Sequence, residues 1–129
     1  MTTMKATLRS ELRTAASAVC SSRQDSGMRD WTPRADASPR ESLEEVEAVL
    51  LRLRRFLDKE GCGLIGDVER DAAVVLAARR QGHAVDLVIG RERAPYNDEA
   101  GFLSWIEYDG AVALTTAPVR QLYEEVARW

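Results

Sequence analysis

The stretch GDVERDAAVVLAARRQGHAVDLVIG, residues 66–90, most constrains what this chain can fold into. Residues 72–78 (AAVVLAA) are apolar all round, the pattern of a helix enclosed on several sides rather than one riding a surface. Asp67 is expected to cap its start by accepting from the amides of the first turn. Arg79 and Arg80 fall in the last turn, where cations favour the dipole, and Gly82 suits the left-handed position just beyond. Val85, Leu87 and Ile89 then alternate with Ala84, Asp86 and Val88 as in a strand, which Gly90 is expected to close. Such a helix and strand need other elements to cover them.

The rest of the chain supplies candidates. Residues 1–23 place Met4, Leu8, Leu12, Ala15 and Val19 on one helical face, with Lys5, Arg9 and Arg13 elsewhere. They lack the apolar centre of a secretory signal and read as a loosely docked helix, with a transit peptide as the alternative. Residues 25–37, polar and holding Gly27, Trp31 and Pro33, read as a linker. Ser38-Pro39-Arg40-Glu41 carries the signature of a helix start, with a serine cap, proline next and a capping-box glutamate. Leu43, Val46, Leu50, Leu53 and Leu57 then form an apolar stripe that ends at Gly61. Residues 91–101 read as a polar loop, and 102–108 as a strand. Asp109-Gly110 reads as a hairpin turn that in its two-residue form pairs Tyr108 with Ala111. Pro118 opens a final helix with Val119, Leu122, Tyr123 and Val126 on one face. The expected class is α+β, packed helices beside a small antiparallel sheet, with residues 1–37 as an N-terminal basic segment and linker and 38–129 as the folded domain.

Composition narrows the function. The formal net charge is −3, with seven Lys or Arg against four acids in residues 1–40 and eleven against seventeen in 41–129. An acidic body argues against a nucleic-acid-binding surface. No run approaches the ~20 apolar residues of a membrane span. Cys20 and Cys62 form neither a metal-binding spacing nor a disulfide framework, so a reducing cytoplasm is the expected compartment. No cofactor or metal motif is present.

Several pieces occur in an order that resembles a known family. They are Arg70, Gly82, Leu87-Val88-Ile89-Gly90, Trp105-Ile106-Glu107 and Asp109-Gly110. Together they resemble the B2 proteins of lasso-peptide biosynthesis, transglutaminase-like (papain-like) leader peptidases that process ribosomally made peptides. The resemblance covers roughly residues 43–129. It implies a cysteine nucleophile at position 67, a histidine at 103 and an acid at 115 or 116. Here those positions hold Asp67, Leu103, and Thr115 or Thr116, so the triad is degenerate. The resemblance therefore implies a pseudoenzyme, a peptide-binding or accessory subunit. Its partners would be a precursor peptide, a separate leader-recognition protein, and a cyclase or active protease. Residues 1–40 are too short for the winged-helix recognition domain of some members. Asp67, Tyr96, Leu103 and Trp105 become the candidate peptide-binding residues, around a groove expected to be apolar.

Two alternatives stand beside this reading. One is a divergent cysteine peptidase or transferase using Cys62 or Asp67. A thiol enzyme needs a thiolate and an imidazole within reach of it. The only imidazole, His83, lies sixteen residues along the helix, roughly 22–24 Å from position 67. Glu69 and Asp71 lie about 200° and 40° around the helix from Asp67, which is no converging pair. The other alternative is a helical dimerisation module built on the leucine stripe.

Overall fold

The computed structural model describes residues 2–22, 41–94 and 99–129. Its elements are α1 (Thr2–Ser22), α2 (Leu43–Glu60), α3 (Gly66–Arg80), β1 (Val85–Glu92), β2 (Phe102–Tyr108), β3 (Ala111–Ala113), α4 (Val119–Leu122) and β4 (Tyr123–Arg128). The strands form one antiparallel sheet in the order β3-β2-β1-β4. The class is thus α+β, as the residue pattern implied.

Helix α3 is the centre. All of Ala72, Ala73, Val74, Val75, Leu76, Ala77 and Ala78 are buried, because α1 and α2 cover one side and β1 and β2 the other. Helix α1 is no loose appendage. Its Leu8, Leu12, Ala15, Ala16 and Val19 are buried, and its main neighbour is α3, whose alanines permit a close approach. From α2 come Val46, Leu50, Leu53, Phe56 and Leu57. The leucine stripe is therefore occupied within the chain's own core, which removes the surface that a dimerisation module would need.

The helix boundaries differ from the sequence expectation in instructive ways. Residues 38–40 lie outside the described part, and α2 begins at Leu43. Its cap is Ser42, whose hydroxyl accepts from the Glu45 amide at 3.2 Å. Asp67 does not cap α3. It sits exposed in the first turn, and the Glu69 carboxylate takes the capping role by accepting from the Ile65 amide at 2.8 Å. The far end closes as expected. The Gly82 amide donates to Arg79 and the His83 amide to Ala78, with Gly82 at φ +90 in a Schellman-type end.

The largest departure is at the C-terminus. The expected helix from Pro118 survives only as the single turn α4, and residues 123–128 pair with β1 as an edge strand. Tyr123 and Val126 fit a helical face, but β1 offers a row of unpaired backbone groups that only a strand satisfies. The pairing runs on past the strand, with Leu87 and Trp129 exchanging both backbone hydrogen bonds at 3.0 and 2.9 Å. Gly90 does not close β1, which continues to Glu92. Tyr108 pairs with Ala111 across Asp109-Gly110, as a two-residue turn requires, and both turn residues have positive φ.

The sheet has two unlike faces. Ser104, Ile106 and Tyr108 point towards the helices, while Trp105 packs on the opposite face with Val88 and Val119 in a second, smaller core. Leu103, Val112 and Tyr123 border that second core.

Candidate functional site

A cleft of about 400 Å³ opens where the start of α3 meets α2 and the start of β2. Arg54, Leu57 and Asp58 form one wall, and Asp67, Arg70, Asp71 and Val74 form the second. Leu103 and Ser104 close the end. Three carboxylates thus face two guanidinium groups. The Arg70 guanidinium pairs with Asp58, and Arg54 donates to Asp71 at 3.1 Å.

Asp71 is the most constrained of these groups. Only 8% exposed, it accepts from the Ser104 hydroxyl at 2.7 Å. Burial pushes its carboxyl above the ordinary value and the nearby Asp67 charge adds to this, overcoming the opposing pull of Ser104 and Arg54. The chemical result is a shielded acid held between a hydroxyl from β2 and a guanidinium from α2. Perturbed acids in clefts are candidates for function.

That shift has a measurable consequence. A carboxyl whose folded pKa is raised stabilises the fold fully below the unfolded carboxylate range, and that contribution is lost as pH rises through the folded value. The Asp71→Asn variant cannot ionise there. Its stability relative to the native chain is therefore expected to improve as pH rises from about 3 towards neutrality. Parallel urea unfolding curves across that range measure this, and a pH-independent difference would remove Asp71 from the set of shifted groups.

Of the positions aligned with the degenerate triad, Asp67 and Leu103 both line this cleft. Thr115 does not. It lies with Thr116 beside a separate hollow formed by Glu47, Leu51 and Leu114, and its hydroxyl accepts from the Ala117 amide at 3.1 Å. Trp105 is corrected as a groove residue: it is 3% exposed and sits in the second core. Its indole N–H donates to Glu107 at 2.8 Å, and its ring lies 6.4 Å from that of Tyr123. Strand alternation puts Trp105 on the face away from α3, the face of the second core that Leu103 also packs against while bordering the cleft. Tyr96 lies outside the described residues. The expected apolar groove floor is instead mostly charged.

Sequence reasoning set Asp71 aside and missed Arg54, Ser104 and Asp58. One signal was present. Asp71 directly precedes the fully apolar run of α3 at about 40° from Asp67, so it had to be buried or shared with that position. Ser104, a lone small polar residue in the strand opposite, was its available partner.

The alternative nucleophile is poorly prepared. Burial pushes the Cys62 thiol up and Glu60 pushes it further, the opposite of what a thiolate enzyme requires. His83 lies at the other end of α3, its Nδ1 3.2 Å from Glu41 Oε1 without hydrogen-bond alignment. Among the described residues, no group of three His, Cys, Asp or Glu side chains is arranged to hold a metal ion. No helix among them is long and apolar enough to cross a membrane.

No family model matches the chain, and neither does any curated protein or solved structure.

Proposed function

We propose that this chain is a catalytically inactive relative of the B2 leader peptidases, with a transglutaminase-like fold, that binds a peptide in the cleft at the start of α3. In this reading it is an accessory subunit in the cytoplasmic maturation of a ribosomally made peptide. A separate leader-recognition protein and a cyclase or active protease are its partners. The observation that carries the proposal is the meeting of Asp67 and Leu103 on one cleft. These are the positions at which the resembled family places its nucleophile and its histidine, and neither side chain here can do that chemistry. The charged walls modify the expected ligand. Arg54, Arg70, Asp58 and Asp67 favour a peptide with polar or charged side chains over an apolar one.

Calorimetric titration with a panel of synthetic peptides of varied charge tests this. Asp67 is exposed, so Asp67→Arg should leave the thermal melt within the small range of surface substitutions. Reversing the charge at the cleft wall should nonetheless weaken peptide binding by at least about tenfold. If no peptide binds, or if Asp67→Arg binds as the native chain does, the cleft is not the peptide site.

A further inference from the structure

The chain has two cysteines, Cys20 near the end of α1 and Cys62 in the connection between α2 and α3. Forty-two residues separate them in sequence, yet the fold brings them to one corner. The Cys20 Sγ lies 3.8 Å from the carbonyl oxygen of Cys62 and 3.8 Å from that of Gly63. Both side chains are reduced and half-buried. The connection is wound around the sulfur by three successive left-handed residues, Gly61 at φ +69, Cys62 at +50 and Gly63 at +70. For Cys62 that conformation is unfavourable, and a glycine or asparagine would hold it with less strain. The same corner is clamped two helical turns away, where Arg13 of α1 donates twice to the Glu60 carboxylate at 3.1 and 3.0 Å. Glu60 in turn lies 4.0 Å from the Cys62 Sγ. The two cysteines are thus brought to one corner by contacts that do not depend on a bond between them.

We propose that Cys20 and Cys62 form a redox-responsive dithiol pair that closes to an intramolecular disulfide, tying the end of α1 to the α2–α3 corner. The oxidant is a low-molecular-weight disulfide such as oxidised glutathione. The Cys20 thiolate attacks one oxidant sulfur, forming a mixed disulfide and expelling the first thiolate. The Cys62 thiolate then attacks the Cys20 sulfur and expels the second. Two protein S–H bonds are lost and one S–S bond is gained, while the oxidant is reduced to two thiols that carry away the two protons. Burial and Glu60 push the Cys62 thiol up, so its thiolate becomes more available as pH rises and closure accelerates with pH. In a reducing compartment such bonds are transient and signal oxidation. Cys62 lies five residues before Asp67, so the bond would anchor the connection leading into the cleft.

The full chain is equilibrated in glutathione buffers from reducing to oxidising, quenched with an alkylating agent and weighed intact. The expected product is a monomer lighter by two hydrogens that takes up no alkylating agent. Its Tm is expected to exceed that of the reduced chain by about 10 °C, since the bond closes a long loop. Cys20→Ser and Cys62→Ser should each form only the mixed disulfide with glutathione. A native chain that carries glutathione on both thiols, forms only intermolecular dimers, remains fully alkylatable, or melts lower when oxidised overturns the proposal. Comparing oxidised with reduced native chain makes the result independent of how either variant folds, and independent of whether the cleft binds peptide.

Discussion

Glu107→Ala is expected to lower the free energy of unfolding by about 3 kcal/mol at neutral pH, a large share of what a domain of this size has. Glu107 lies on β2 and is 3% exposed. It accepts from the Trp105 indole at 2.8 Å, from Arg128 at 2.9 Å and from Arg120 at 3.3 Å. Its removal strands a buried indole N–H and releases two guanidinium groups from their shared acceptor. Arg120 and Arg128 are each more than a third exposed and turn to water, and Arg128 keeps Asp86 and Glu125. The expected loss is therefore at the low end for a broken buried pair. Burial alone would raise the Glu107 carboxyl, but the hydrogen bonds from Arg120, Trp105 and Arg128 outweigh it and hold the group below the ordinary carboxylate value. A depressed carboxyl contributes its stability above the unfolded carboxylate range, near about 4.3 for glutamate, and loses it as pH falls through the folded value. Glu107→Gln should thus narrow its deficit at acid pH. Urea unfolding at neutral and acid pH measures both effects, and a Glu107→Gln deficit unchanged across that range would sink the assignment.

This network also shows what a sequence can and cannot disclose. The central helix and its strand were legible because an apolar run of seven residues between Asp71 and Arg79 has few ways to avoid water. The two-residue hairpin was legible because Asp109-Gly110 tolerates positive φ at both positions. The C-terminal strand was not legible. Leu122, Tyr123 and Val126 satisfy a helical period, and only the open edge of β1, a tertiary fact, favours the extended form. The capping role moved from Asp67 to Glu69, since either acid fits a first turn and the Ile65 amide is the donor that Glu69 reaches. Trp105 was read as a groove residue because neighbouring strand positions look alike until the covered face is known. The cleft was half legible. Asp67 and Leu103 were named from the resemblance, whereas Arg54 and Ser104 come from elements whose juxtaposition no local pattern records.

Gly90→Ala is expected to cost about 3 kcal/mol, the upper end for overpacking, although glycine to alanine in a strand ordinarily helps. A methyl group at this position would lie 2.6 Å from two carbons of the Trp105 ring and 2.8 Å from the Tyr123 Cβ. Neither neighbour yields easily. The ring is buried and held by its hydrogen bond to Glu107, and the Tyr123 Cβ is fixed by the pairing of β4 with β1. Gly90 sits opposite Leu103, at the point where the register between β1 and β4 shifts. The glycine is needed for space, since it is not among the glycines with positive φ. A smaller ring should therefore relieve the clash. Trp105→Phe alone should cost about 2–3 kcal/mol through the lost ring volume and hydrogen bond. The double variant Gly90→Ala/Trp105→Phe should be more stable than the sum of the single losses predicts, by about 1–2 kcal/mol. Chemical unfolding of the four proteins completes the cycle. Strictly additive losses would mean that the Trp105 ring is not what excludes a side chain from position 90.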